Sequence, residues 1–513
     1  MKKSNFIYGS IILAGVNFIV RLIGFSYRII LSKLIGPEGI GLFQMVFPVL
    51  MVFITITTAG IPVAVSKLVA KQNSIYNYNG TKKIFKVATI LTLLISLLLS
   101  SILLVFGKYI SYEILENENI LYSIYFLAPA IIVISLSSVI RGFYYGLKKI
   151  APAGIAQIIE QLTRIVFVLS LIHHMYPLKS QAGAFIAVCG ITVGEIFGLI
   201  WLVFNYRIIK FKDIKSAKKL KTFKILSQIS YISIPITISR IVNVSMQLIN
   251  AILIPQRLIV SGLSNQEAIE TFGRLVGMSM PLIFLPFIVT SALVINIIPN
   301  LSEELELKKF KTIRENISLS IRITLVISIP ITAVYIFFSD PLALFFYDDI
   351  TVGRYIGILG YSTVFLSLHH TLSGILHGLG KQVITTINYL VGMTVQVVAV
   401  YFLVANPRFG IYGFFIGFIV SIIIICILDY IAVNKFITFK INYFNFILKP
   451  MLASAIMIII IFIIRSYLVS INAKEYITII GSFLGGGLFY LLILFITKGL
   501  PLYLIKRLTK GIH

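Results

Sequence analysis

The chain has 513 residues, of which 58% are hydrophobic and 12% charged. The charges are lopsided, 44 Lys plus Arg against 18 Asp plus Glu, for a formal net charge of +26. A charged share about half that of an ordinary soluble domain excludes a soluble globular enzyme, and no contiguous basic domain exists to carry nucleic-acid binding.

A helix needs about 20 mostly apolar residues to cross a bilayer. In chain order such runs lie at 6–33, 40–70, 84–107, 119–147, 152–177, 182–206, 225–254, 271–300, 312–339, 353–380, 382–405, 411–434, 447–469 and 475–497. They are continuously apolar, which predicts helices; barrel strands would alternate over about ten residues. The expected fold class is all-α, a polytopic membrane protein of about 14 transmembrane helices in two pseudo-symmetric lobes. Arg21 and Arg28 interrupt the first run and no small-residue cleavage site follows, so it reads as an uncleaved first helix. Cys189 and Cys426 fall inside runs and read as small packing residues.

With the N-terminus placed in the cytoplasm and the sides alternating, the basic residues fall into order. About 29 lie in inner segments and about 9 in outer ones, the asymmetry of the positive-inside rule. The densest inner group runs from Arg207 through Lys210, Lys212, Lys215, Lys218, Lys219 and Lys221 to Lys224. Both termini are expected to be cytoplasmic and the location to be the cell membrane. Most of the positive charge is then an insertion signal that implies no ligand.

The basic segment also divides the chain. The fourth run ends Gly142-Phe-Tyr-Tyr-Gly146-Leu-Lys-Lys149 and the tenth Gly374-Ile-Leu-His-Gly378-Leu-Gly-Lys381, both G-x-x-x-G-L-x-K at an offset of 232. The sixth opens Gly183-Ala-Phe-Ile and the twelfth Gly413-Phe-Phe-Ile. The second carries Pro48 and Pro62, the eighth Pro286 and Pro299. These matches predict parallel repeats, which in other carriers place the substrate between two lobes near the midplane; generic helix packing through G-x-x-x-G is the simpler reading of each motif alone. The expected organisation is an N-lobe at 1–206, a basic cytoplasmic linker at 207–224, a C-lobe at 225–440, and two further helices with a basic tail at 441–513.

Once the loop charges are assigned, the spans keep Arg21, Arg28, Arg141, Arg164, Arg240 and Arg322 against Glu160 and Glu195. A charge at the bilayer centre costs several kcal/mol and turns to a cavity or a partner. Arginine stays protonated and its planar fork matches phosphate and carboxylate, so the interior favours an anionic cargo. Arg21 and Arg28 are two turns apart on one helical face, either an anion-attracting face or, for Arg28, a side chain that snorkels to the headgroups. Glu160 and Arg164 are spaced i, i+4, as an internal ion pair or as the polar wall of a cavity. Arg240 follows Pro235 and would face Arg21 if the lobes oppose one another. Arg141 is a site residue or a headgroup anchor. The substrate-binding set expected from these residues is Arg21, Arg28, Arg240, Arg141, Glu160 and Arg164. Asn17, Asn243, Asn250, Gln44 and Gln247 suit sugar contacts or interhelical hydrogen bonds equally.

His369 and His370 are adjacent on one helix and point in different directions, which suits polar packing better than metal ligation. No G-x-x-x-x-G-K-[ST] motif, Cys–His zinc pattern or hydrolytic triad signature is present. No cofactor, no metal and no enzymatic activity is expected.

Three segments carry a family likeness: Arg21-Leu-Ile-Gly24-Phe25, then Leu34-Ile-Gly36-Pro37-Glu38-Gly39-Ile40-Gly41-Leu42-Phe43, then Ala59-Gly60-Ile61-Pro62-Val63-Ala64-Val65-Ser66-Lys67. They resemble the polysaccharide-export and lipid-flippase branch of the multidrug/oligosaccharidyl-lipid/polysaccharide superfamily. Arg141-Gly142, Gln157-Ile-Ile-Glu160-Gln161, Pro255-Gln-Arg257-Leu, Leu285-Pro286 and Thr290-Ser-Ala292 narrow the resemblance to the stage V sporulation protein B group of the polysaccharide biosynthesis proteins. The resemblance implies a two-lobed carrier related to the lipid II flippases. It would move undecaprenyl-pyrophosphate-linked sugars outward by alternating access, and it would serve spore cortex peptidoglycan. It also implies that first-helix arginines bind the pyrophosphate. Arg21 matches that pattern and Arg28 is displaced by one position. The Asp that such flippases carry near the start of the second helix is missing, with Glu38 the nearest acid.

The partners expected are a lipid-linked anionic sugar and membrane lipids, with a coupling ion left open. Exporters of other lipid-linked polysaccharide units need the same pyrophosphate contacts. A membrane scaffold of the wall-building machinery would need none of the arginines. Drug–cation antiport ranks last, because it needs intramembrane acids.

Overall fold

The computed structural model describes residues 3–208, 220–439 and 442–499, with side chains from Gly15 onward except at Asn17. Among the described residues the elements are helices and turns. In lipid every backbone N–H and C=O must be satisfied within its own segment, and a continuous apolar run achieves this as a helix.

The chain packs as two compact units, Met1–Gly277 and Met278–His513. The first holds α1 (Lys3–Thr58), α2 (Ile61–Ser74), α3 (Tyr78–Tyr109), α4 (Leu121–Gly146), α5 (Ile150–Met175), α6 (Ser180–Ile208), α7 (Thr222–Val260) and the short α8 (Asn265–Phe272). The second holds α9 (Met280–Ile283), α10 (Phe287–Glu306), α11 (Phe310–Phe337), α12 (Ser339–Tyr347), α13 (Ile350–Gly360), α14 (Thr363–Gly378), α15 (Gln382–Ala399), α16 (Ile411–Phe436), α17 (Lys449–Ser470) and α18 (Glu475–Ile496).

Twelve helices of the described residues are long and apolar enough to cross a membrane, two fewer than the apolar runs of the sequence. The difference has two sources. The first two runs merge in α1, where Gly36 breaks the helical path at φ 70, ψ 177. Pro37 forbids a helical residue before it, and only glycine reaches that φ without strain. The tenth run is divided between α13 and α14, of 11 and 16 residues, each too short to span alone. The chain is a multi-pass membrane protein.

In the first unit α2, α3, α4 and the start of α7 share a core of Ile61, Val65, Ile84, Phe143 and Ile229. α7 packs on α1, α2 and α3. Most of the linker at 207–224 lies outside the described residues. In the second unit Leu301, Ile317, Ile321, Leu376 and Val433 join α10, α11, α14 and α16. There α17 and α18 pair with one another and lie against α11, where the Tyr490 hydroxyl donates to the Val326 carbonyl at 2.6 Å.

The repeated motif does the same work in both units. A Cβ at Gly142 would stand 2.5 Å from the Pro62 carbonyl oxygen, so α4 closes directly on α2. Gly374 meets Val294 and Gly378 meets Ile298 and Leu301, so α14 closes on α10 in the same way. Both motifs then end in one cap. The Lys149 N–H reaches the Tyr144 carbonyl at 3.0 Å, and the Lys381 N–H reaches the Leu376 carbonyl at 2.8 Å. This closure requires a left-handed residue in between, Lys148 at φ 60 and Gly380 at φ 71. The side chain at Lys148 makes that conformation cost about 1 kcal/mol, and glycine removes most of it. Lys148→Gly is expected to raise the thermal midpoint in detergent; a lower midpoint would count against this account of the cap.

Candidate functional site

The polar face of α5 is the centre of the first unit. Gln157, Glu160, Gln161 and Arg164 recur at three- and four-residue spacing and therefore share one side of the helix. Small residues on α6 let that face come close. A Cβ at Gly194 would stand 2.6 Å from the Glu160 carbonyl oxygen, and one at Gly198 would stand 2.8 Å from the Glu160 carboxyl carbon. The close approach buries Glu160 to 6% exposure and its α6 neighbour Glu195 to 8%.

Two buried carboxylates need a cation, and α4 supplies it. Arg141 Nη2 donates to Glu160 Oε1 and, at 3.2 Å, to Glu195 Oε2. Glu160 thus pairs with Arg141, and the i, i+4 partner Arg164 has no ion-pair partner among the described residues. The guanidinium of Arg164 stays within electrostatic range of Glu160 and of the buried Tyr27 hydroxyl. Two arginines and two glutamates balance within one helix triplet. A neutral set is a tolerable arrangement for charges held away from water.

The arrangement leaves unused capacity. Nε of Arg141, Nε of Arg164 and the amide oxygens of Gln157 and Gln161 are buried with no hydrogen-bond partner among the described residues. Gln161 points at α1, where a Cβ on Gly24 would lie 3.4 Å from its Nε2. Gly24 is three residues from Arg21 and four from Arg28, so the three share the side of α1 that α5 meets. Arg21 is exposed and Arg28 half-buried. Chemically, this is a cationic and amide-rich strip between α1 and α5, suited to an anion with sugar-like hydroxyls.

The remaining expected residues separate from this strip. Arg240 is exposed on α7, five residues after Pro235, and makes neither an ion pair nor a hydrogen bond among the described residues. Asn243 donates to the Ser239 carbonyl at 3.1 Å, Gln44 is buried, and the Asn17 side chain lies outside the described residues. Arg322 donates to the Gly499 carbonyl at 2.6 Å and lies 5.8 Å from the centre of the Phe446 ring. It holds α11 to the end of α18.

One acid corrects the sequence reading, which left only Glu160 and Glu195 in the spans. Asp429 on α16 is fully buried. It lies inside the apolar run 411–434. His369 Nδ1 is 2.7 Å from its Oδ2. His370 instead bonds Thr290 at 2.9 Å and stacks on Phe287 at 4.4 Å. No group of three or more His, Cys, Asp or Glu among the described residues is placed to hold a metal.

Comparison with known proteins places these features in a family. A family model described as polysaccharide biosynthesis protein matches residues 6–305, and the MatE model matches residues 235–403. The chain is 27% identical over 509 residues to stage V sporulation protein B of Bacillus subtilis (strain 168), covering 97% of this chain and 96% of that protein. It is 24% identical over 429 residues to the lipid II flippase MurJ of the same organism, covering 77% of each. Among solved structures, the inward closed conformation of lipid II flippase MurJ superposes with a TM-score of 0.70 at 18% identity, over 94% of this chain and 98% of that one. An inward-facing multidrug resistance MATE family transporter gives 0.67 at 17% identity, over 82% of this chain and 98% of that one. These relatives include transporters and flippases, and none of them is named as an enzyme. With more than half its length under the first model, the chain belongs to the polysaccharide biosynthesis protein family.

Proposed function

We propose that this protein is a flippase for a lipid-linked, pyrophosphate-bearing saccharide. The cargo in this reading is an undecaprenyl-pyrophosphate-linked peptidoglycan precursor of the lipid II kind, and the service is to spore cortex synthesis. The observation that carries it is the strip of Arg21, Arg28 and Arg164 with Gln157 and Gln161, in which buried Arg164 Nε and the two amide oxygens have no partner among the described residues. An oligosaccharide diphosphate offers oxygens to the Arg164 guanidinium and hydroxyls to the two amides. The relatives named stage V sporulation protein B and lipid II flippase support the cargo class and the sporulation setting.

In this mechanism the first repeat at 1–206 and the second at 225–440 alternate access to the arginines, and both termini face the cytoplasm. Arg240 of α7 is a further cationic contact for the cargo in this reading. Arg141, Glu160 and Glu195 tie α4, α5 and α6 into one body that carries Arg164. The reading is tested by leaflet exchange of labelled lipid II in vesicles that hold the purified full chain. Protein-dependent exchange is expected. No exchange, with a known flippase active in parallel, would overturn it. Exchange of a different undecaprenyl-linked repeat unit, with lipid II left in place, would replace the cargo and keep the mechanism.

A further inference from the structure

The second unit holds a buried polar cluster that the cargo strip does not use. Asp429 on α16 receives one contact from each of two other helices. Its Oδ2 lies 2.7 Å from His369 Nδ1 of α14, and its Oδ1 accepts from Asn388 Nδ2 of α15 at 2.8 Å. Asp429 is 0% exposed and Asn388 8%. A lone carboxylate without water is several kcal/mol unfavourable, and a proton on the Nδ1···Oδ2 contact would neutralise it.

Among the described residues no Lys or Arg forms an ion pair with Asp429. His377 on α14 and Cys426 on α16 are titratable groups in electrostatic range of Asp429. On α15, Tyr389 follows Asn388; on α16, Tyr430 turns its ring to Phe439 at 5.7 Å. α10 and α11 face the cluster with Leu301, Ile317 and Ile321, and Arg322 is engaged with the end of α18. α13 meets α16 at its other end, through Tyr355 against Phe415. Lys381 is held over the Phe436 ring at 4.6 Å, and Lys435 is exposed. Phe436 ends α16 seven residues beyond Asp429. At 1.5 Å per residue the cluster is roughly 10 Å from that helix end, a short path for a proton.

We propose that His369, Asp429 and Asn388 form a proton-binding site, and that opening the His369–Asp429 contact releases the proton as part of the transport cycle. Each of the three side chains sits on a different helix, so a shift between α14 and α16 is enough to separate acid from base. The second clause rests on the flippase reading; proton binding itself does not.

The test uses the purified full chain in lipid, in two arms. The pH-difference infrared spectrum of the wild type is expected to contain carboxyl and imidazole bands that titrate together. Both should be missing in Asp429→Asn and in His369→Gln. Spectra of the wild type and of folded variants that superimpose would overturn the site, as would a wild type with no such bands. In the second arm, labelled lipid II exchange is measured in vesicles under a pH gradient of either sign. The wild-type rate is expected to depend on the sign of the gradient, and that of Asp429→Asn is not. Gradient-independent wild-type exchange would overturn the coupling. Titrating bands with no exchange under any gradient would keep the proton site and remove the flippase reading.

Discussion

Replacing Arg141 with leucine is expected to be the most damaging single change to stability in the first unit. Arg141 bonds both Glu160 and Glu195, and these acids are 6% and 8% exposed. Removing one partner of a buried ion pair costs about 3–5 kcal/mol, because the other charge stays behind without compensation. Here two carboxylates are left, with Arg164 the remaining cation in range of Glu160. The loss should appear as a much lower thermal midpoint or as failure to accumulate in the membrane. Glu160→Gln is the informative contrast, since it leaves Arg141 paired with Glu195 and should cost less. Changing Arg141, Glu160 and Glu195 together to Leu, Gln and Gln should recover most of the loss. A triple variant as unstable as Arg141→Leu would place the damage in packing and not in charge.

Replacing Arg164 or Arg21 with alanine is expected to have the largest effect on exchange while leaving the fold in place. Neither change removes the Arg141 bonds to Glu160 and Glu195. A hydrogen bond to a charged group contributes about 1.5–3 kcal/mol, so the loss of one guanidinium contact should slow exchange roughly 10- to 100-fold. Lysine at 164 separates the sources of the effect. It keeps the charge and loses the planar fork, so partial recovery is expected if the strip binds a diphosphate. Exchange rates equal to the wild type in both alanine variants would remove the strip from the site and favour a scaffold role. Arg240→Ala should resemble Arg21→Ala if α7 contributes to the cargo site.

The charges of the sequence divide along the same line. The basic residues outside the spans are read from hydropathy and alternation, because insertion depends on counts of Lys and Arg and not on their neighbours. Most of the few charges inside the spans are also legible, since an ion in an apolar run stands out, but the sequence reading misses Asp429 within the run 411–434. Their pairings are not. The i, i+4 spacing suggests Glu160 with Arg164, and the folded chain joins Glu160 to Arg141, 19 positions away, because the glycines of α6 draw α5 against α4 and α6. Asp429 shows the same limit, since its partners His369 and Asn388 are 60 and 41 residues distant.

The sequence by itself determined the membrane-spanning, all-helical class, the order of the apolar runs and the repeated G-x-x-x-G-L-x-K motif. These follow from local hydropathy and local backbone chemistry, which act within a few turns of chain. Tertiary structure decided which helices share a core, that α7 packs with α1, α2 and α3, and which buried acid meets which base. Those outcomes depend on side chains tens of residues apart reaching one place. A carboxylate buried among helices takes the nearest available cation or proton, and sequence spacing alone does not identify that partner.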